Sequence, residues 1–172
     1  AGYKAANHLF ELGHDHIMFA SAQIDPKWVG IQRCCNDNMR HASLFLLKEG
    51  DGIRNYFDMG AKCAKDIIGS RRLPTAIIAA NDEIAVGLIN GLSRLGCRVP
   101  EDVSVIGFDD AYIAAYSNPP LTTIHYPKAR IGIEMARMLI SMLNGQTTQP
   151  NITLETELVN RESTASPRDE SI

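Results

Sequence analysis

Three short polar clusters hold the residues best able to do chemistry: Ser21, Gln23 and Asp25; Asn81 and Asp82; Asp109 and Asp110. Each directly follows an apolar run, ending near Ala20, Ala80 and Phe108. Asn offers both a donor and an acceptor, whereas ionised Asp offers only acceptors. That mix suits a neutral, hydroxyl-rich ligand better than a phosphate. Asn81 and Asp109 are the sharpest candidates, because each comes immediately after its run, where a side chain can point into a crevice. The competing role is helix capping, for which Asn and Asp are preferred. Asp82, with Glu83 behind it, reads as a cap that adds negative charge to a first helical turn. For Asp110 both roles stand.

Trp28, the one tryptophan, follows a polar loop and reads either as a stacking platform for a sugar or base or as a core anchor. Tyr56 and Phe57 carry the same pair of readings. Catalytic patterns are lacking: there is no G-x-S-x-G, no P-loop and no G-x-G-x-x-G. His125 sits in a strand pattern and reads as a structural, hydrogen-bonded histidine. His14 and His16 flank Asp15 after a helix end, with too few convergent ligands for a metal, so a solvated turn is expected. Cys34, Cys35, Cys63 and Cys97 form no C-x-x-C pair and read as reduced, buried thiols. The expectation is a binding protein without catalytic residues, metal or cofactor.

The elements that must position these residues alternate. Helices are expected over 2–12, 28–43, 57–68 and 82–95, with Gly13, Gly69 and Gly96 as stops. Apolar strands are expected at 17–20, 44–47, 75–80 and 103–108. Strand and helix in alternation argue a parallel sheet covered on both faces, an α/β doubly wound fold. In such a sheet every strand delivers its following loop to the same edge, where ligands bind. The three clusters therefore converge. The last third breaks the rhythm: Asn118-Pro119-Pro120 is a rigid turn, 121–126 a strand, 127–143 a helix with Ile131, Met135, Met138 and Met142 on one stripe, and 152–159 a half-exposed strand. Residues 164–172 are small and polar and are expected to fray. With 45% apolar residues and a formal charge of −3, the chain can bury a core but offers no general attraction to phosphate backbones. No run is long enough for a membrane span. The chain opens on Ala1 rather than Met, so the absence of a signal peptide carries no weight.

Several segments resemble the LacI/GalR regulators. Leu95-Gly96-Cys97-Arg98-Val99-Pro100-Glu101-Asp102-Val103-Ser104-Val105-Ile106-Gly107-Phe108-Asp109-Asp110 looks like a signature of that family. So do Pro74–Ile77 with Ala79–Ala85, the crossover Pro119-Pro120-Leu121-Thr122-Thr123-Ile124, and the closing Leu158–Thr164. The order and spacing of the motifs make the match specific from residue 1 to about 165.

The resemblance implies a type I periplasmic-binding-protein-like fold, mostly its second lobe. Residues 1–124 and 156–165 would form the C-terminal lobe, 127–155 a strand–helix piece of the N-terminal lobe, and 166–172 a tail. The DNA-binding headpiece would be absent. The implied function is ligand sensing and dimerisation in a cytoplasmic transcription regulator that binds a sugar or related metabolite between two lobes. DNA would be met only through the headpiece, and no membrane is involved. A sugar-binding protein of a transport system is the alternative with the same fold. Asn81 and Asp109 fall on effector-contacting positions, and Tyr126 on a cleft-lining crossover. Family members place an Arg in the helix read at 28–43; the pattern Gly30-Ile31-Gln32-Arg33-Cys34-Cys35 departs from theirs, leaving Arg33 or Gln32 for that role. The candidate site is thus Asn81, Asp109, Gln32, Arg33, Trp28, Tyr126, Asp25 and Tyr56. The helix at 82–95 and the segment 112–116 are expected at a homodimer interface.

Overall fold

The computed structural model describes residues 1–47, 53–70, 73–146 and 151–168. The elements run α1 (Gly2–Glu11), β1 (His16–Ser21), α2 (Lys27–Asn38), β2 (His41–Leu46), α3 (Tyr56–Ile68), β3 (Ala76–Ala79), α4 (Asp82–Arg94), β4 (Ser104–Phe108), α5 (Tyr112–Tyr116), β5 (Thr122–His125), α6 (Lys128–Leu143) and β6 (Glu157–Val159). They build one sheet in the order β2-β1-β3-β4-β5-β6. All neighbours are parallel except β6, which returns antiparallel to β5. This is the α/β doubly wound sheet expected.

The strand order reverses between β1 and β3: one crossover leads outward to β2, the next back past β1. Right-handed crossovers then place helices on both faces. α1 packs on α2, and α3 on α4. Helices on both faces explain why β3 and β4 are buried throughout and apolar at every position but Ser104, whose hydroxyl is hydrogen bonded to Ala165. The α3–α4 contact is close because Gly87 carries no side chain; a Cβ there would stand 2.2 Å from the Phe57 carbonyl oxygen. Among the described residues no helix is long and apolar enough to cross a membrane.

Several expectations need correction. The helix read at 28–43 stops at Asn38, because Met39 turns left-handed (φ 52°), and β2 starts at His41. Such a stop normally carries Gly or Asn, so Met39 gave no warning. The strand read at 152–159 is shorter, beginning only at Glu157. The apolar residues of α4 face inward, while Leu95, just beyond its end, is 43% exposed. His14 lies in no solvated turn: it is buried, with Nδ1 2.9 Å from Thr75 Oγ1 and Nε2 3.0 Å from the Ala165 carbonyl. Thr164 and Ala165, read as part of a frayed end, are hydrogen bonded to His8 and Ser104; residues 169–172 lie outside the described ones. The four cysteines are buried and unpaired, and burial pushes Cys34 up to about 11 and Cys63 up to about 12.

Candidate ligand-binding cleft

At the reversal between β1 and β3, the crossovers diverge and leave a crevice outside the carboxyl ends of the strands. A cleft of about 340 Å³ lies there, lined by residues following β1, β3 and β4. From the β1 side come Ser21, Gln23, Asp25 and Lys27; from α3, Tyr56 and Met59; from the β3 side, Asn81 and Ile84; from β4, Asp109. A larger hollow, about 450 Å³, opens between the end of α4 and the loop before β4. Its guanidinium, Arg98, is already engaged by Asp102 through two contacts of 3.1 Å, so it offers a ligand little.

Each wall of the cleft has a local cause. Asp25 accepts the Lys27 backbone N–H at 2.8 Å and thereby stabilises the start of α2. Its second oxygen holds the Lys27 ammonium at 2.8 Å, and that ammonium lies 5.2 Å from the centre of the Phe108 ring. Asn81 caps α4, its Oδ1 accepting the Ile84 N–H at 2.8 Å. The capping role assigned to Asp82 therefore belongs to Asn81, whose amide Nδ2 still has two donors to offer. Asp109 and Asp110 both have left-handed backbones, φ 100° and 46°. The Asp109 N–H donates to the Ile124 carbonyl at 2.9 Å, and its own carbonyl accepts from Lys128 Nζ at 2.5 Å. Its carboxylate has no hydrogen-bond or ion-pair partner among the described residues.

The other acids are occupied. Asp110 accepts from Arg161 at 2.7 Å and faces His125 Nδ1 at 3.0 Å. Burial raises its pKa, but the Arg161 and His125 contacts outweigh that and hold it below the usual carboxylate range. Asp82 is buried, and burial pushes it up to about 6, with the charges of Asp109 and Asp110 adding to the shift. Tyr126 is half-buried and packs against the core; burial first, then the charges of Asp109 and Asp25, push its hydroxyl up to about 12.

Of the eight residues proposed from the sequence, Asp25, Tyr56, Asn81 and Asp109 line the cleft, whereas Tyr126 is not among the lining residues and packs against the core. Trp28 stacks on Phe19 instead, ring centres 6.0 Å apart and planes within 7°. Gln32 and Arg33 are exposed on α2 and line no part of the cleft. The cation that α2 brings there is Lys27, at the helix's first residue. Lys27 is not among the residues proposed from the sequence; its signal there is its position two residues after Asp25, which holds both its N–H and its ammonium. Among the described residues there is no His/Cys/Asp/Glu group suited to a metal.

The family profile of the periplasmic binding protein-like domain matches residues 6–164. The chain belongs to this family, in its LacI-type branch. It is 34% identical over 167 residues to the HTH-type transcriptional repressor PurR of Vibrio atlanticus, covering 93% of this chain and 49% of that one. It is 33% identical over 168 residues to the HTH-type transcriptional regulator CelR of Thermobifida fusca, covering 94% and 48%. The chain thus spans about half the length of the curated relatives it matches. Those relatives are transcriptional regulators, not enzymes. Among solved structures, a dimeric Lac repressor with an 11-residue C-terminal deletion superposes with a TM-score of 0.83 at 25% identity, over 96% of this chain and 61% of that one. A sugar-binding LacI-family regulator from Escherichia coli, complexed with phosphate, gives 0.80 at 27%, over 96% and 60%.

Proposed function

We propose that the chain is the ligand-sensing and dimerisation region of a cytoplasmic LacI-type transcription regulator, and that a small, neutral, hydroxyl-rich effector such as a sugar binds in the cleft at the β1–β3 reversal. The observation that carries this reading is Asp109. Its carboxylate stands in the cleft without a partner among the described residues, on a left-handed backbone that is unfavourable by roughly 1–2 kcal/mol for a residue with a Cβ. Strain of that kind persists where a site needs it. Carboxylate acceptors and the Asn81 amide donors match the two halves of a hydroxyl group's hydrogen bonding. Asp25 and Lys27 neutralise each other, and the Lys128 ammonium on the Asp109 carbonyl offsets the Asp109 charge, so these residues leave no surplus cation for a phosphate.

In this reading, residues 1–124 and 156–165 belong to one lobe, and 127–155 to a first lobe that closes over the effector. The bareness of α6 supports the division: it buries none of its residues, and Met135 and Met142 are 66% and 62% exposed. An apolar face of that size is a liability unless covered. Effector binding shifts the balance between lobe arrangements, provided that it binds them with different affinity, and so changes how a dimer presents its DNA-binding headpieces. Tyr112 and Tyr116, both exposed with ring centres 4.5 Å apart, are an aromatic pair suited to the dimer contact.

The test is a thermal-shift screen of the full-length protein against sugars, sugar phosphates and purines, with Asp109→Ala alongside. A compound at about a hundred times its Kd adds roughly 2.7 kcal/mol of stability. We expect neutral sugars to give the shift and Asp109→Ala to abolish it. A shift from a phosphate ester that survives the substitution sinks the reading.

A further inference from the structure

Asp82 caps nothing and lines no part of the cleft, yet it is a carboxylate only 1% exposed. It reaches its place through a gap in β4. At Gly107 an added Cβ would stand 2.2 Å from Asp82 Oδ1, so a glycine is needed there to admit the side chain. Once inside, Oδ2 accepts the Ala111 backbone N–H at 2.7 Å, and Oδ1 accepts the Thr123 hydroxyl at 2.6 Å. The Thr123 oxygen in turn accepts the Asp110 N–H at 3.4 Å. One side chain from the start of α4 therefore fastens both the turn that leaves β4 and the adjoining strand β5.

We infer that Asp82 is a positioning residue for effector binding: it holds the left-handed Asp109–Asp110 turn at its exit, and so aims the Asp109 carboxylate into the cleft. The inference rests on the reading of that cleft as the effector site. Two neighbouring left-handed residues relax unless several contacts over-determine them. Ile124 and Lys128 hold the entry of the turn, and Arg161 and His125 its middle. Ala111, the exit, is held by Asp82. Burying a carboxylate beside two further acids is a poor route to stability alone.

Hydrogen–deuterium exchange on the full-length protein reads the hold directly. In Asp82→Ala the peptide covering residues 109–111 should exchange at least about tenfold faster, the ratio expected for losing a hydrogen bond to a charged group. Peptides from β1 and β3 should keep their rates. Asp82→Asn, whose amide oxygen still accepts from Ala111, should restore slow exchange. Thr123→Val should loosen the same peptide to a smaller extent, and it decides the matter should Asp82→Ala fail to fold. Affinity for D-glucose, D-galactose or D-ribose, whichever the wild type binds, should fall in the same order.

Three results overturn the inference: acceleration spread evenly over the whole sheet, unchanged exchange at 109–111 in Thr123→Val, or wild-type sugar affinity in folded Asp82→Ala. If the wild type binds none of the three sugars, it is the sugar-effector reading that fails. The exchange rates still decide whether Asp82 holds the turn.

Discussion

The two ends of the sheet are built from similar residues and finished in opposite ways. At the amino end, His14 sits among Thr75, Ser104 and Ala165. Beside it the Ser163 hydroxyl donates to the Val105 carbonyl at 2.6 Å and accepts the Thr122 N–H at 2.9 Å. These polar groups are buried, and each finds its partners inside the chain. At the carboxyl end, the Asp109 carboxylate and the Asn81 amide nitrogen keep unused hydrogen-bonding capacity, and two residues in sequence have strained backbones. A closed network specifies a fold. An open one has capacity left for something from outside, and this difference separates the end that holds the lobe together from the end that binds.

The comparison is broken most easily at His14. Replacing it with Ala removes the ring's three contacts, takes a partner from Thr75 Oγ1 and leaves a buried void, while Ser104 Oγ and the Ala165 backbone keep only their bonds to each other. We expect a loss of roughly 2–4 kcal/mol in urea unfolding, the range for opening a buried hydrogen-bonded network. Sugar affinity of the folded protein should not change. A loss well under about 1 kcal/mol, or a change in affinity at the opposite end, would mean that the two ends are not separable in this way.

A smaller effect, in pH dependence, sets the ends against each other. Burial lowers the pKa of His14, and also of His8. The unfolded chain then takes up a proton near its ordinary value of about 6.5 before the folded chain does, so stability falls as pH drops through that region. Asp82 has the opposite sign. Its folded value is pushed up to about 6 from 3.8. Between those values the folded state holds more protons, so this group's contribution is full at low pH and is lost as pH rises through about 6. A Tm series across this range should therefore show partial cancellation. His14→Gln should flatten the acid-side loss, and Asp82→Asn should steepen it. Parallel profiles for the two variants would contradict the assignment.

The parts legible in the sequence are those where local pattern and tertiary setting agree. β3, α4 and β4 were readable because Ile77–Ile78 and Val105–Ile106 lie in unbroken apolar runs, bounded by polar residues and Gly96. Asn81 and Asp109 were readable because a parallel sheet sends all its following loops to one edge. What failed needed a partner distant in the chain. His14 looks like a loop residue until Ala165, 151 residues away, closes over it. Asn81 and Asp82 are chemically interchangeable as caps, and only Gly107 shows which of the two turns inward. An isolated glycine within an apolar strand is a sign of close approach, and Gly107 is such a glycine. Arg33 and Gln32 came from the family resemblance, which points to the body of the helix; both are exposed there, and the residue of α2 that lines the cleft is Lys27.

The smallest stability effect is expected where the largest functional one should be found. Asp109→Gly removes the Cβ that makes φ 100° unfavourable, which relieves on the order of 1 kcal/mol. The added freedom of the unfolded chain offsets this by roughly 0.4–1 kcal/mol. The Asp109 backbone contacts to Ile124 and Lys128 do not involve the lost side chain and should persist. The net change in unfolding free energy should therefore lie within about 1 kcal/mol of zero. Affinity for a sugar that the wild type binds should fall at least about tenfold, the measure of one lost charged hydrogen bond. A glycine variant that unfolds much more easily would show that the carboxylate has an internal partner after all. A variant that binds as well as wild type would move the ligand's principal contact to another wall of the cleft, with the Asp25–Lys27 pair next in line for the same substitution test.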